Sequence, residues 1–309
     1  MVRTECSAIS AGTEMLFYRD LVGSGTVLDP QIPSLSGDSR YPFKYGYSAV
    51  GRVIDLGEGV SPEWEGSRVF SFHPHESHFL ARPEELLALP EGIGPEEGVF
   101  LPFMETALSL VMDGRPIMGE EVAVLGQGVI GLLTTRLLAE MPLSNLVTLE
   151  ALEMRREWSR EMGSRRTLDA CHPTRELLSN LDEDGFDLVF EVSGNPQALD
   201  HAIRLTGFGG RVVIGSWYGR KKVPLHLGRE FHRRRPSLVS SQVSSVDPSL
   251  SGRWDKRRRF QLAWRWIREV RPSRLITHRL PIGEAPRAYR MIHGERGKVL
   301  QVLLTYEEE

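Results

Sequence analysis

Val122-Ala-Val-Leu-Gly-Gln-Gly-Val-Ile-Gly131 decides the fold of the central part of this chain. Its apolar opening predicts a buried parallel strand over 121–126, and the run behind it predicts a helix over 131–140. Between them lies G-x-G-x-x-G, at Gly126, Gly128 and Gly131. Gly126 lets the chain turn sharply out of the strand. Gly128 has no side chain, so a pyrophosphate can approach the backbone at the helix N-terminus. Gly131 lets helix and strand pack closely. Gln127, Val129 and Ile130 complete the loop that would touch a bound dinucleotide. A second strand, 145–150, ends in Glu150, 19 residues past Gly131, where a carboxylate suits the ribose hydroxyls of NAD better than the 2′-phosphate of NADP. Arg155 and Arg156 could take such a phosphate, but they sit a turn into the next helix, where a solvated face accounts for them.

Further strands are predicted at 166–170, 187–192, 210–216 and 237–243, with helices at 152–162, 174–181 and 196–206. This alternation implies a doubly wound parallel sheet with right-handed crossovers. Ser193 and Gly194 end one strand, and Gly215 and Ser216 the next. Both pairs fall where the crevice beyond the strand ends should lie, or they are simple strand-to-helix turns. The first 95 or so residues read differently. They are β-rich, with Val50–Leu56 and Ser67–Phe72 as strands and Gly/Pro/Ser punctuation between. Pro95–Met112 is a helical entry to the central part, and 256–270 is an Arg-rich amphipathic helix. A short mixed tail ends in the apolar run Val299–Tyr306.

Composition excludes several classes of function. The 309 residues are 40% hydrophobic with a formal charge of −3 and a pI near 6.3, which argues against a nucleic-acid or membrane-surface role. The basic stretches Arg229–Arg235 and Arg253–Arg259 match no nucleic-acid module, and a solvated face or subunit contact accounts for them. No apolar run reaches the ~18 residues of a membrane span, and the N-terminus has no secretion signal. Two cysteines, Cys6 and Cys171, are too few for a disulfide framework or a structural zinc lobe. A cytoplasmic protein is expected.

The order of a β-rich part, a dinucleotide-binding part and a mixed tail resembles the medium-chain dehydrogenase/reductase superfamily. The residues that carry the resemblance span almost the whole chain. They are Ile9-Ser-Ala-Gly-Thr-Glu14, Gly46-Tyr-Ser-Ala-Val-Gly-Arg-Val53, Gly66-Ser-Arg-Val69, Glu105-Thr-Ala107, the glycine motif, Phe190-Glu-Val-Ser-Gly194, Gly210–Gly215 and Leu275-Ile-Thr-His278. The first of these, with Phe72-His-Pro-His75, is most similar to the branch related to the hydroxyethyl-bacteriochlorophyllide dehydrogenases. The resemblance implies an α/β protein of two domains. One is a GroES-like β-rich domain over 1–97 and 277–309, and the other a Rossmann doubly wound parallel sheet over 98–276. It also implies a small-molecule substrate in the interdomain cleft, a homodimer joined through the region 223–243, and opening strands ahead of Val2, so that this chain begins inside the first domain.

Two positions depart from the zinc-dependent members. Their first loop supplies a cysteine ligand where this chain has Ala11, and their next motif supplies a histidine where it has Tyr47. No zinc and no other metal is therefore expected. The candidate catalytic groups are Thr13, Tyr47, His73 and His75. Thr13 matches the family hydroxyl that touches the substrate oxygen, and it also suits a helix N-cap. Tyr47 could donate to a carbonyl or could simply pack. His73 and His75, alternating on a strand, would face one side as proton-transfer groups or as a replacement metal site with Glu76, or lie on the surface. Thr106 would contact the nicotinamide ring or cap a helix, and Glu105 is the reserve candidate for the chemistry. The expected activity is zinc-independent, NAD(H)-dependent hydride transfer between nicotinamide and a secondary alcohol or ketone. The alternatives are a quinone or enoyl (C=C) reductase, and a dinucleotide-binding protein with little or no catalysis.

Overall fold

A computed structural model describes residues 1–171 and 185–307. The helix expected at 174–181 lies outside the described residues. The chain divides into two units, 1–102 with 260–309, and 103–259; the divisions fall inside the helices Leu101–Gly114 and Lys256–Val270. The boundaries read from sequence were 97/98 and 276/277.

The second unit holds six parallel strands: β6 (Glu121–Leu125), β7 (Asn145–Glu150), β8 (Arg166–Asp169), β9 (Phe186–Glu191), β10 (Thr206–Ile214) and β11 (Ser237–Ser240). Their order across the sheet is β11-β10-β9-β6-β7-β8. All six match expected strands, and the reversal of strand order at β6 opens the crevice at the carboxyl ends. β10 starts earlier than its sequence suggested. A register shift between Thr206 and Arg211 absorbs the Gly207-Phe-Gly-Gly210 run, whereas the strand was expected to begin at 210. Ala123, Leu125, Val147, Leu149 and Val189 fill one face against helix Pro196–Leu205, while Val122, Val124, Leu146 and Leu188 fill the other. This burial on both faces is why the strands read as unbroken apolar runs.

The first unit is a mostly antiparallel sheet in the order β12-β13-β1-β2-β3-β5, with β4 also paired to β1. Its strands are β1 (Val2–Ala8), β2 (Ala49–Val53), β3 (Arg68–Ser71), β4 (His78–Phe79), β5 (Leu86–Ala88), β12 (Ile276–Pro281) and β13 (Gln301–Thr305). β13 pairs with β1, placing Thr305 opposite Cys6, so the tail completes the β-rich part. Among the described residues, β12 with β13 is the only parallel pair of this sheet. Helix Ala285–Gly294 buries Ala288 and Ile292 against Ile9, Met15, Leu280 and Val302. Together the two sheets form the GroES-like and Rossmann α/β architecture expected from sequence. Among the described residues no helix is long and apolar enough to cross a membrane.

Candidate functional site

In the second unit the glycine loop leaves β6 as its spacing requires. Gly126 has φ +94°, and a Cβ there would lie 2.5 Å from the Ser193 Cα; a Cβ on Gly131 would lie 2.0 Å from the Gly126 carbonyl oxygen. Gly128 is the N-cap of helix Val129–Ala139, and no side chain caps that end. The first-turn N–H groups and the positive end of the helix dipole are thus available to an anion. Glu150 is buried at the end of β7. One carboxylate oxygen accepts the Gln127 N–H at 2.7 Å and the other accepts the Leu152 N–H at 3.0 Å. Glu150 therefore holds the glycine loop in place.

The two arginines separate. Arg156 donates to the carbonyls of Glu150 and Ala151 and to the Glu153 carboxylate, and it lies 3.3 Å from Asp169. Arg155 instead places a guanidinium nitrogen 3.8 Å from where a Gly128 Cβ would sit, beside the anion-facing turn. By sequence alone both arginines could take a 2′-phosphate and a solvated face accounts for both, which does not separate Arg155 from Arg156.

Ser193, Gly194, Gly215 and Ser216 come together at the ends of β9 and β10. The Gly194 N–H donates to Ser216 Oγ at 2.8 Å, and Lys221 Nζ donates to the Gly194 carbonyl at 2.7 Å. Buried Glu191 accepts the Ser193 N–H at 2.9 Å and the Tyr218 hydroxyl. Burial, with the Glu191 carboxylate second, pushes the Tyr218 hydroxyl well above the usual tyrosine range. Thr106 lies half-buried on helix Leu101–Gly114. Beside it, Glu105 is buried and pairs with Arg259: Nε and Nη2 reach one carboxylate oxygen at 3.1 and 2.8 Å, with Lys256 at 3.8 Å. Arg259 is 1% exposed, so the end of the Arg-rich stretch is not the solvated face that its composition suggested.

In the first unit the candidate hydroxyls converge. Tyr47 Oη donates to Ser10 Oγ at 2.5 Å or to Thr13 Oγ1 at 3.2 Å. Burial pushes the Tyr47 phenol up to about 12, so it stays protonated at neutral pH. Thr13 is half-buried and makes no side-chain cap on helix Glu14–Tyr18. Ser10, missed from sequence, lies within the quoted Ile9–Glu14 motif.

The histidines do not share a face. β3 ends at Ser71, and both residues lie in irregular chain around Pro74. His73 stacks on Phe79, with ring centroids 4.0 Å apart, and lies 3.6 Å from Glu76; burial lowers its pKa. His75 turns inward, Nε2 to Glu14 at 3.0 Å and Nδ1 to Ser7 Oγ at 2.8 Å.

Comparison with known proteins fits this geometry. The family model described as Zinc-binding dehydrogenase matches residues 129–267. D-guloside 3-dehydrogenase of Escherichia coli K12 is 23% identical over 277 residues, covering 85% of this chain and 79% of that protein. Among solved structures, the short chain alcohol dehydrogenase rspB of Escherichia coli CFT073, complexed with NADH, superposes with a TM-score of 0.75 at 17% identity, covering 98% of this chain and 90% of that one. A putative zinc-binding dehydrogenase of Sinorhizobium meliloti 1021, bound to NADP, gives 0.75 at 21% identity, with 98% and 91% covered.

The zinc implied by that family description does not fit the residues present. Ala11 offers no donor atom. Tyr47 is a protonated phenol that already donates to Ser10 and lies 3.2 Å from Thr13. Among the described residues no group of three His, Cys, Asp or Glu side chains could hold a metal ion.

Proposed function

We propose that the chain is a zinc-type alcohol dehydrogenase-like protein of the medium-chain dehydrogenase/reductase superfamily, an NAD(H)-dependent oxidoreductase that interconverts a secondary alcohol and a ketone without a metal. One observation carries the reading: a dinucleotide-type glycine loop occurs in the same chain as a hydroxyl triad, Tyr47–Ser10–Thr13, standing where metal ligands are lost. When bound, the nicotinamide gives or takes the hydride. The residues of this chain do the rest. Gly126–Gly131 and the first turn behind them receive the pyrophosphate. Glu150 receives the ribose hydroxyls, and the Ser193–Gly194 and Gly215–Ser216 turns line the crevice.

At the substrate, the triad supplies the proton. Tyr47 donates inward, which leaves Ser10 and Thr13 with their own hydroxyl protons to give. During reduction, charge develops on the carbonyl oxygen, and a preset donor there stabilises it. Turnover of NADH with a panel of ketones and enones, chelator present, tests this. Ketone turnover is expected. Turnover of enones alone identifies a C=C reductase. NADH binding with no turnover identifies a binding protein.

NADH is expected to bind about tenfold more tightly than NADPH, since a 2′-phosphate would meet the Glu150 carboxylate. Dissociation constants from nicotinamide fluorescence check this. Equal or tighter NADPH binding would show that Arg155, beside Gly128, captures the phosphate.

β11 is an edge strand, paired to β10 on one side, with Leu238 exposed. A homodimer covering that edge is expected, because exposed edges otherwise invite uncontrolled pairing. Light scattering at micromolar concentration checks it, and a monomer would refute it.

A further inference from the structure

A second polar cluster in the first unit takes no part in the scheme above. Its centre is Glu14, 2% exposed. Glu14 Oε1 accepts the Ser10 N–H at 2.7 Å. Oε2 meets His75 Nε2 at 3.0 Å and accepts the Tyr289 hydroxyl. On the far side of the ring, Nδ1 meets Ser7 Oγ at 2.8 Å, and Ser7 Oγ meets Tyr306 Oη at 2.8 Å. The His75 N–H donates to the Tyr45 carbonyl at 3.2 Å. Gly46 lies flat against the imidazole: with φ +117°, a Cβ there would come within 2.8 Å of Cδ2 and Nε2. Three donors thus surround a buried carboxylate, which makes its burial tolerable.

The connectivity shows what this cluster does. Glu14 directly follows Thr13 and closes the 10–14 turn through the Ser10 N–H. His75 packs on Gly46, the residue before Tyr47, and hangs from the Tyr45 carbonyl. One cluster therefore grips both turns that carry the hydroxyl triad. Glu14 meets the triad through the Ser10 backbone N–H, through which no proton passes to substrate. The cluster is built to hold, not to relay.

We propose that Glu14 and His75 are positioning residues, a buried clasp that fixes the Ser10–Thr13 turn against the Gly46–Tyr47 turn. This rests on the reading that the triad is the proton-donating site. The clasp does structurally what a metal does when both turns supply its ligands.

Four variants test it: His75→Ala, the milder His75→Asn, Glu14→Ala and Glu14→Gln. The readouts are amide exchange at Ser10, kcat and KM with a ketone, and the NADH dissociation constant. His75→Ala and Glu14→Ala should speed Ser10 exchange and lower kcat about tenfold, since misplaced catalytic groups act on kcat, while NADH binding holds. Glu14→Gln should recover most of the loss, because its amide oxygen still accepts the Ser10 N–H and His75 can change tautomer to meet the amide. Should His75→Ala fail to fold, His75→Asn decides by the same readouts. Unchanged exchange and kcat in both alanine variants would overturn the proposal. So would a kcat loss with Ser10 still protected, which would make His75 a chemical participant. If the parent chain turns over no ketone, the hydride-transfer reading fails, and Ser10 exchange alone still decides whether the clasp exists.

Discussion

Tyr47→Phe is expected to lower kcat for ketone reduction about 100-fold or more, while the NADH dissociation constant stays unchanged. The phenol donates to Ser10 at 2.5 Å and lies 3.2 Å from Thr13, so its removal takes away the donor that both hydroxyl oxygens face. A donor preset at the place where negative charge develops is worth much more in a transition state than in a ground state. The phenylalanine ring keeps the edge-to-face contact with Tyr45, at 6.2 Å between centroids, so the loss should not be one of packing. Thr13→Val, which removes one hydroxyl and leaves Tyr47 bonded to Ser10, should cost less. Steady-state kinetics with a fluorescence titration of NADH measures both. Near-full activity in Tyr47→Phe would remove the triad from the chemistry.

The contrast between this site and the clasp behind it shows what the sequence could and could not reveal. Gly126 and Gly131 were legible because the constraint on each is local: a positive φ in one case, a backbone approach of 2.0 Å in the other. Tyr47 drew attention because it occupies a motif position where a ligand was expected. The partners of Glu14 were not legible. Tyr289 joins it from 275 residues away, and Tyr306 meets Ser7 from 299 residues away, through the pairing of the last strand with the first. No local pattern encodes that encounter. His73 and His75 were placed on one strand face by alternation alone. The chain leaves the strand at Ser71, before either residue, and the rule of alternation lapses there. Arg259 was misread for another reason. Its spacing from Ala263 and Ile267, both buried, puts it on the apolar stripe of its helix, but the run Lys256-Arg-Arg-Arg259 drew attention to charge and away from period.

That buried arginine carries the largest expected effect on stability. Arg259 gives two hydrogen bonds to Glu105 and further ones to Ser109 Oγ at 3.3 Å, the Ser245 carbonyl at 3.0 Å and the Val243 carbonyl. Arg259→Met would leave a buried carboxylate with Lys256 at 3.8 Å as its remaining ion-pair partner, a loss of about 3–5 kcal/mol. Replacing both members by Glu105→Gln with Arg259→Met should cost less, because no buried charge is then stranded.

The pH dependence follows from the direction of the shift. Burial raises the Glu105 pKa above its ordinary value of 4.5 even with the cations present. From 4.5 up to the raised folded value, the folded state holds a proton that the unfolded state has released, so stability falls as pH rises through that interval. Without Arg259 the folded value rises further and the interval widens. Arg259→Met should therefore melt closest to the parent in mild acid and fall progressively behind it as pH increases, whereas the double variant, with no carboxyl at position 105, should not fall further behind as pH increases. Calorimetry across that range measures the divergence. A deficit in Arg259→Met that does not change with pH would mean that Lys256 moves in to neutralise the carboxylate, and that the arginine serves the Val243 and Ser245 carbonyls more than it serves Glu105.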